Sequence, residues 1–300
     1  MPERRAIPFD DDMITSWEID LRAERKSPRS ITIYLGGLRA YRDWLTAHGL
    51  ETALERHEFT AYLAELVTEG RLADATIASR HVAVRLFSAW LAEEEEVDDV
   101  LLPVKSPKVN EKVTPPFSDA ELAALFAACK GVAFRDRRDE ALCRLMAECG
   151  PRAAGVLSMT ITGTSITNGT AVITAKGGDQ HTIGFGPQTA RALDRYLRVR
   201  KTHRLAGTDT FWLGDRGATF GYNGLYKALN ARAEAAGIAG FHPHRFRHTF
   251  SDRWLDRGGS EGGLMAVAGW KSRKMVDRYA KARAAARGLD EARRLGLGDL

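Results

Sequence analysis

Four of the ten prolines fall close together, at Pro103, Pro107, Pro115 and Pro116, interleaved with Lys105, Lys108 and Lys112. Proline supplies no amide donor and biases the residue before it away from helix, so residues 103–116 read as an extended linker through which no helix can run. The chain must therefore fold as two parts, residues 1–102 and 117–300, each long enough to bury a core of its own. The charge changes sign at the same place. Residues 1–116 hold 15 Lys+Arg against 21 Asp+Glu, whereas the remainder holds 29 against 18. A basic excess confined to the larger part is the electrostatic footprint of a polyanion binder.

The composition, 44% hydrophobic and 28% charged, is that of a soluble globular protein. No apolar run approaches the roughly 20 residues of a membrane span. The amino terminus runs into Asp10-Asp11-Asp12 without the apolar segment of a signal peptide, so a cytoplasmic protein is expected. Cys129, Cys143 and Cys149 form an odd set with no Cys-x-x-Cys pair. They are expected to be buried and apolar rather than bridged or metal-bound.

The first part reads as helical. Ser27-Pro28 has the chemistry of a helix start, Ile31, Tyr34, Leu35, Leu38, Tyr41 and Leu45 follow at three- and four-residue steps, and Gly49 is a stop. A second helix is expected from Glu58 to Gly70 and a third from Asp74, ended by Glu93 to Glu96. Arg29, Arg39, Arg80 and Arg85 should lie on outward faces. Past the linker, Ser118-x-x-Glu121 is a capping box, a helix spans about Asp136 to Glu148, and Gly150-Pro151 stops it. The strand signal lies at Thr170–Ala175 and His181–Phe185, joined by Lys176-Gly177-Gly178-Asp179. Helices are expected over Pro187–Arg200, Tyr222–Ala236, Arg245–Leu255 and Arg273–Ala280. The fold class is thus mainly α with a small β-sheet in an α+β second domain.

The chemistry concentrates near the carboxy terminus. His244-Arg245-Phe246-Arg247-His248 is followed by Trp270 and, nine residues later, by Tyr279. A guanidinium offers a planar fork to two phosphate oxygens, an indole offers an N–H donor, and a phenol oxygen can attack phosphorus and form a covalent intermediate.

With these residues the chain resembles the tyrosine recombinases, the phage-integrase family, over nearly its whole length. His244-x-x-Arg247-His248-Thr249-Phe250, Ala268-Gly269-Trp270 and Tyr279 are similar to the family's second active-site box. Cys149-Gly150-Pro151-Arg152, followed by Val156-Leu157, is similar to its first, where an Arg precedes a short helix. Lys176 stands in the hairpin where the family keeps its catalytic lysine. The resemblance implies a helical, SAM-like core-binding domain joined to a catalytic domain in a C-shaped clamp on duplex DNA, acting as a homo-tetramer on paired recombination sites. It implies Arg152 and Arg247 on the scissile phosphate, Tyr279 as nucleophile of a 3′-phosphotyrosyl bond, Lys176 as general acid, and His244 and Trp270 as phosphate-side donors. Arg29, Arg80 and Lys271 are the candidates for further DNA contact, and a directionality factor is a candidate partner. About a dozen residues precede the first helix, so no extra arm-binding domain is expected.

No cofactor is expected. His242 and His244 flank a proline with no carboxylate beside them, a poor set for zinc, and exchange of a phosphodiester for a phosphotyrosine conserves bond energy, so no nucleotide is needed. The chain departs from the family at Trp270, where a histidine is usual, at Pro151, and at Gly155, where a carboxylate is usual. Two other readings stay open on these residues: a DNA-binding regulator that has lost catalysis, which Gly155 would favour, and a DNA-relaxing topoisomerase of related chemistry.

Overall fold

The computed structural model describes residues 6–109, 115–174, 178–215, 219–270, 272–273, 276 and 284–296. The chain divides into two compact units, residues 1–113 and 114–300.

The first unit is a bundle of α1 (Asp11–Ala23), α2 (Pro28–Ala47), α3 (Arg56–Glu69) and α4 (Asp74–Glu94), with a two-residue antiparallel ladder between β1 (Ile7–Pro8) and β2 (Ala53–Leu54). The expected caps are present. The Ser27 hydroxyl accepts from Ser30 N–H at 3.1 Å, Pro28 opens α2, and Gly70 closes α3 in the left-handed region. The apolar stripe of α2 buries Leu38, Tyr41 and Leu45 against Phe59, Tyr62, Phe87 and Trp17. Gly37 brings α2 and α4 together so closely that a Cβ there would lie 2.7 Å from Ala83 Cβ.

Among the basic residues expected to face outward, Arg29 and Arg39 are exposed. Arg85 is not available: its Nη1 donates to both oxygens of Asp99 at 2.9 and 2.8 Å, and both side chains are largely buried. Asp99 lies beyond the helix end, so helical spacing alone could not reveal that pairing.

The second unit is built around α6 (Phe134–Cys149), buried on most of its circumference. α5 (Asp119–Ala128), α8 (Pro187–Arg200), α9 (Tyr222–Ala235) and α10 (His244–Asp256) surround it, and α7 (Ala153–Leu157) and α11 (Glu261–Ala268) are short additions. The three-stranded antiparallel sheet runs β3 (Thr164–Ser165), β4 (Thr170–Thr174), β5 (Gln180–Gly184), with Ile173 opposite His181 and Ala171 opposite Ile183. Its inward face, Ala171, Ile173 and Ile183, closes the core with Trp212, Tyr196 and Phe246. The capping box is formed as expected: Glu121 N–H donates to Ser118 Oγ at 3.1 Å and Ser118 N–H to Glu121 Oε2 at 2.8 Å. All three cysteines are buried and unbridged. Helix α12 (Ala284–Leu295) lies near the carboxy terminus, and the helix expected at Arg273–Ala280 falls mostly outside the described residues. No helix among the described residues is long and apolar enough to cross a membrane.

Gly150 ends α6 with φ +60°, and a Cβ there would lie 2.4 Å from Phe250 Cδ1. Replacing it by alanine adds a left-handed non-glycine residue and a collision with the Phe250 ring. The expected loss is about 2–4 kcal/mol, read as a lowered urea midpoint of the full chain with an unchanged m-value. An unshifted midpoint would mean that the turn is not left-handed.

Candidate active site

The turn that ends α6 sets the first element of the site. Gly150 N–H donates to Met146 O at 3.1 Å, Pro151 forbids continuation, and Arg152 becomes the extended N-cap residue of α7. α7 is pinned at its carboxy-terminal end. Trp212 Nε1 donates to Val156 O at 2.9 Å, and Ser158 Oγ donates to Gly155 O at 2.8 Å while accepting Thr174 N–H at 2.8 Å. Arg152, held at the mouth of this arrangement, is exposed, and among the described residues it has no carboxylate partner.

Arg247 comes from α10 and is 2% exposed. Its Nη1 donates to Gly150 O at 2.9 Å and its Nη2 to Ala268 O at 2.7 Å, the carbonyls at the ends of α6 and α11. Such terminal carbonyls have no partner within their own helix and carry the negative end of its dipole. The guanidinium carbon sits 4.9 Å from the Trp270 ring centroid, within cation–π range.

Trp270 is placed by the way α11 stops. Ser260 caps its start by accepting Gly263 N–H at 3.1 Å. At its end Gly269 adopts φ +62° and Trp270 N–H returns to Met265 O at 2.9 Å, a Schellman turn. The indole is thereby buried with Phe250, Leu255, Leu264, Ala268 and Val276.

His244, the first residue of α10, is half-buried, and its ring lies edge-on to that of His248 at 4.9 Å. The neighbouring Arg245 has a different task. It donates to Pro115 O and to Glu121 Oε1 at 2.9 and 2.6 Å and lies 4.2 Å over Phe117, fastening α10 to the start of α5.

Arg152, Arg247, Gly155 and Thr174 line one cavity of about 50 Å³. A further residue, absent from the expected set, lines it too: His181 of β5. Burial, then Arg247, then Arg152 push its imidazole below the usual histidine range. The signal was present in the sequence, because His181 alternates in phase with Ile183 and Phe185, which are buried.

Of the expected site residues, Lys176, Lys271 and Tyr279 lie outside the described residues. Arg29 is exposed in the first turn of α2, and Arg80 is half-buried, donating to the Tyr62 hydroxyl at 3.1 Å. Among the described residues no cluster of His, Cys, Asp or Glu has the geometry to hold a metal ion.

The chain was compared with known proteins. A family model described as Phage integrase family matches residues 116–286, and one described as Phage integrase, N-terminal SAM-like domain, matches residues 14–95. Tyrosine recombinase XerC of Staphylococcus saprophyticus subsp. saprophyticus is 23% identical over 263 residues, covering 86% of this chain and 88% of that protein. Its counterpart in Corynebacterium efficiens is 26% identical over 250 residues, covering 81% and 79%. Among solved structures, XerH site-specific recombinase bound to palindromic difH substrate superposes with TM-score 0.71 at 16% identity, covering 95% of this chain and 89% of that one. A lambda integrase dimer bound to a COC′ core site does so with TM-score 0.69 at 15% identity, covering 92% and 95%. With the site and both matched segments in agreement, the chain belongs to the phage integrase family, the tyrosine recombinases.

Proposed function

We propose that this chain is a site-specific DNA recombinase that cuts and rejoins strands through a 3′-phosphotyrosyl intermediate, with Arg152, Lys176, His244, Arg247, Trp270 and Tyr279 as its working residues. The observation that carries the reading is the convergence of Arg152 and Arg247 on one small cavity, from two elements fixed by the same Gly150 turn. Two guanidinium groups so held would grip the scissile phosphate and stabilise the added negative charge of the pentacoordinate transition state. Fixed planar donors suit that task better than flexible ammonium groups.

In the first step the Tyr279 oxygen attacks phosphorus, its proton passing toward His244, and the bond from phosphorus to the 5′ oxygen breaks. That oxygen leaves as a hydroxyl with a proton from Lys176, since an unprotonated alkoxide is a poor leaving group. The 5′-hydroxyl of a second strand then attacks the phosphotyrosine and restores the phenol. Two neighbours in sequence support these roles: Thr174, two residues before Lys176, lines the cavity, and Val276, three residues before Tyr279, is buried beside Trp270. Trp270 would serve the phosphate through its indole N–H.

Residues 1–102 act in this reading as the core-binding domain, 103–116 as the linker and 117–300 as the catalytic domain, closing as a clamp on duplex DNA. Arg29, Arg80 and Lys271 would touch DNA outside the cleavage point. Solved relatives include dimers on a core site and a tetramer on a Holliday junction, and we extend a tetramer on paired sites to this chain, in the cytoplasm and on the nucleoid. Relatives named as recombinases favour this over DNA relaxation, and the intact pair of arginines favours it over a regulator without catalysis.

Covalent protein–DNA adducts recovered from cells and sequenced would map the cleavage point, and a nicked suicide duplex carrying it would then trap the intermediate. Wild type should accumulate adduct and Tyr279→Phe none; identical behaviour of the two would overturn the enzyme reading. Arg152→Ala should slow adduct formation about 10²- to 10³-fold while leaving the unfolding free energy within about 0.5 kcal/mol, as expected for an exposed side chain. Binding to the unnicked duplex should weaken by about 10³-fold or more between 50 and 200 mM salt if six or more phosphates are neutralised, and a flat dependence would contradict the clamp.

A further inference from the structure

Strand β5 brings into the site an imidazole that the reaction above does not use. His181 pairs across the sheet with Ile173 and precedes the buried Ile183 by two residues, so the two-residue period of the strand puts its ring on the core-facing side. At that end of the sheet its neighbours include charged side chains as well as Ile173 and Ile183. The ring shares the 50 Å³ cavity with Arg152 and Arg247, and it stands against Gly269, where a Cβ would come 3.3 Å from its Cε1 and 3.4 Å from its Nε2. Gly155, buried in the same cavity wall, contributes no side chain to it.

We propose that His181 is a positioning residue of this active site, a neutral imidazole whose unprotonated ring nitrogen accepts a hydrogen bond from Arg152 or Arg247 and holds that guanidinium fork on the scissile phosphate, in place of the side chain that Gly155 lacks. The inference rests on the recombinase reading and adds a residue to it.

Chemistry restricts the ring to its neutral form. A guanidinium only donates hydrogen bonds, so whatever orients it from the side must accept, and an imidazolium has no acceptor left. The charged groups facing the ring, among the described residues, are Arg152 from the start of α7 and Arg247 from α10; β4 and α11 present Ile173, Thr174, Val267, Ala268 and Gly269, none of which titrates. Burial and the two arginines disfavour a further positive charge there and lower the ring's pKa, which favours the neutral imidazole. Protonation in acid would turn the acceptor into a donor and add a third cation to the pair. Cleavage should therefore fall on the acid side, and part of that limb should belong to His181.

The test uses the full-length protein on the nicked suicide duplex. His181→Ala should lower the single-turnover rate of adduct formation about 10- to 100-fold, the scale of a misplaced reacting group, with duplex affinity and unfolding midpoint retained. His181→Gln, whose amide oxygen accepts but does not titrate, should recover most of the rate and shift or remove the acid limb of the pH profile. Wild-type rate in H181A, or an unchanged acid limb in H181Q, overturns the proposal, as does a rate lost only in proportion to DNA affinity. Should H181A fail to fold, the pH profile of H181Q decides alone. A wild type that forms no adduct overturns this and the recombinase reading together, whereas an active wild type with an indifferent H181A overturns this one only.

Discussion

One guanidinium holds the catalytic unit's functional end together. Helices α6 and α11 both stop at left-handed glycines, Gly150 and Gly269, and each stop leaves carbonyls turned away from their own helix. Arg247 donates to Gly150 O and to Ala268 O, so the ends of two helices distant in sequence are tied to a third. Burying a charge costs several kcal/mol after relaxation. Here two carbonyl dipoles at helix C-termini and the Trp270 face offset that cost. The same bonds fix the plane of the fork before any DNA arrives, which is the condition under which a charged donor stabilises a transition state without reorganising.

That arrangement changes how the basic excess of the second unit is to be understood. Many of its arginines are internal. Arg138, 2% exposed, pairs with Asp139 and Asp215, Arg232 bridges Asp136 and Asp139, and Arg200 donates to the carbonyls of Ala206, Thr208, Thr210 and Phe211. Arg245 fastens α10 to the start of α5. These arginines cross-link loops and helices, so the number of basic side chains overstates how many are free to meet a polyanion. On the proposed reading the residues that would meet phosphate are fewer and more sharply placed, Arg152 exposed at the cavity and Arg247 buried in its wall.

Local chemistry was legible where it acts alone. Ser27-Pro28, the Ser118 to Glu121 box, the Gly150 stop and the hairpin all announce themselves through caps, turns and period, and the structure has them within a residue or two. The run at the start of α10 was legible because His244 and Arg247 are presented by one helix. What escaped depends on partners far off in the chain. Arg85 reads as outward until Asp99 is brought to it. Helix α11 contains Gly262 and Gly263, poor helix formers, and is held by its Ser260 cap and by burial of Leu264 and Ala268. His181 escaped because a strand's period tells which side a residue faces, but not that this side also meets the start of α7 and the end of α11.

The departure at Trp270 follows from the same geometry. In a Schellman turn the second residue past the helix packs against the third from its end. Here these are Trp270 and Met265, and both belong to the small cluster that also buries Val276. An indole fills that apolar position with a larger surface than an imidazole would and still carries an N–H. It also lays its face on the buried Arg247, a role in which tryptophan exceeds the other aromatic side chains. The residue that closes α11, covers the arginine and lies nearest in sequence to the segment leading to Tyr279 is thus one side chain, chosen by packing and charge together.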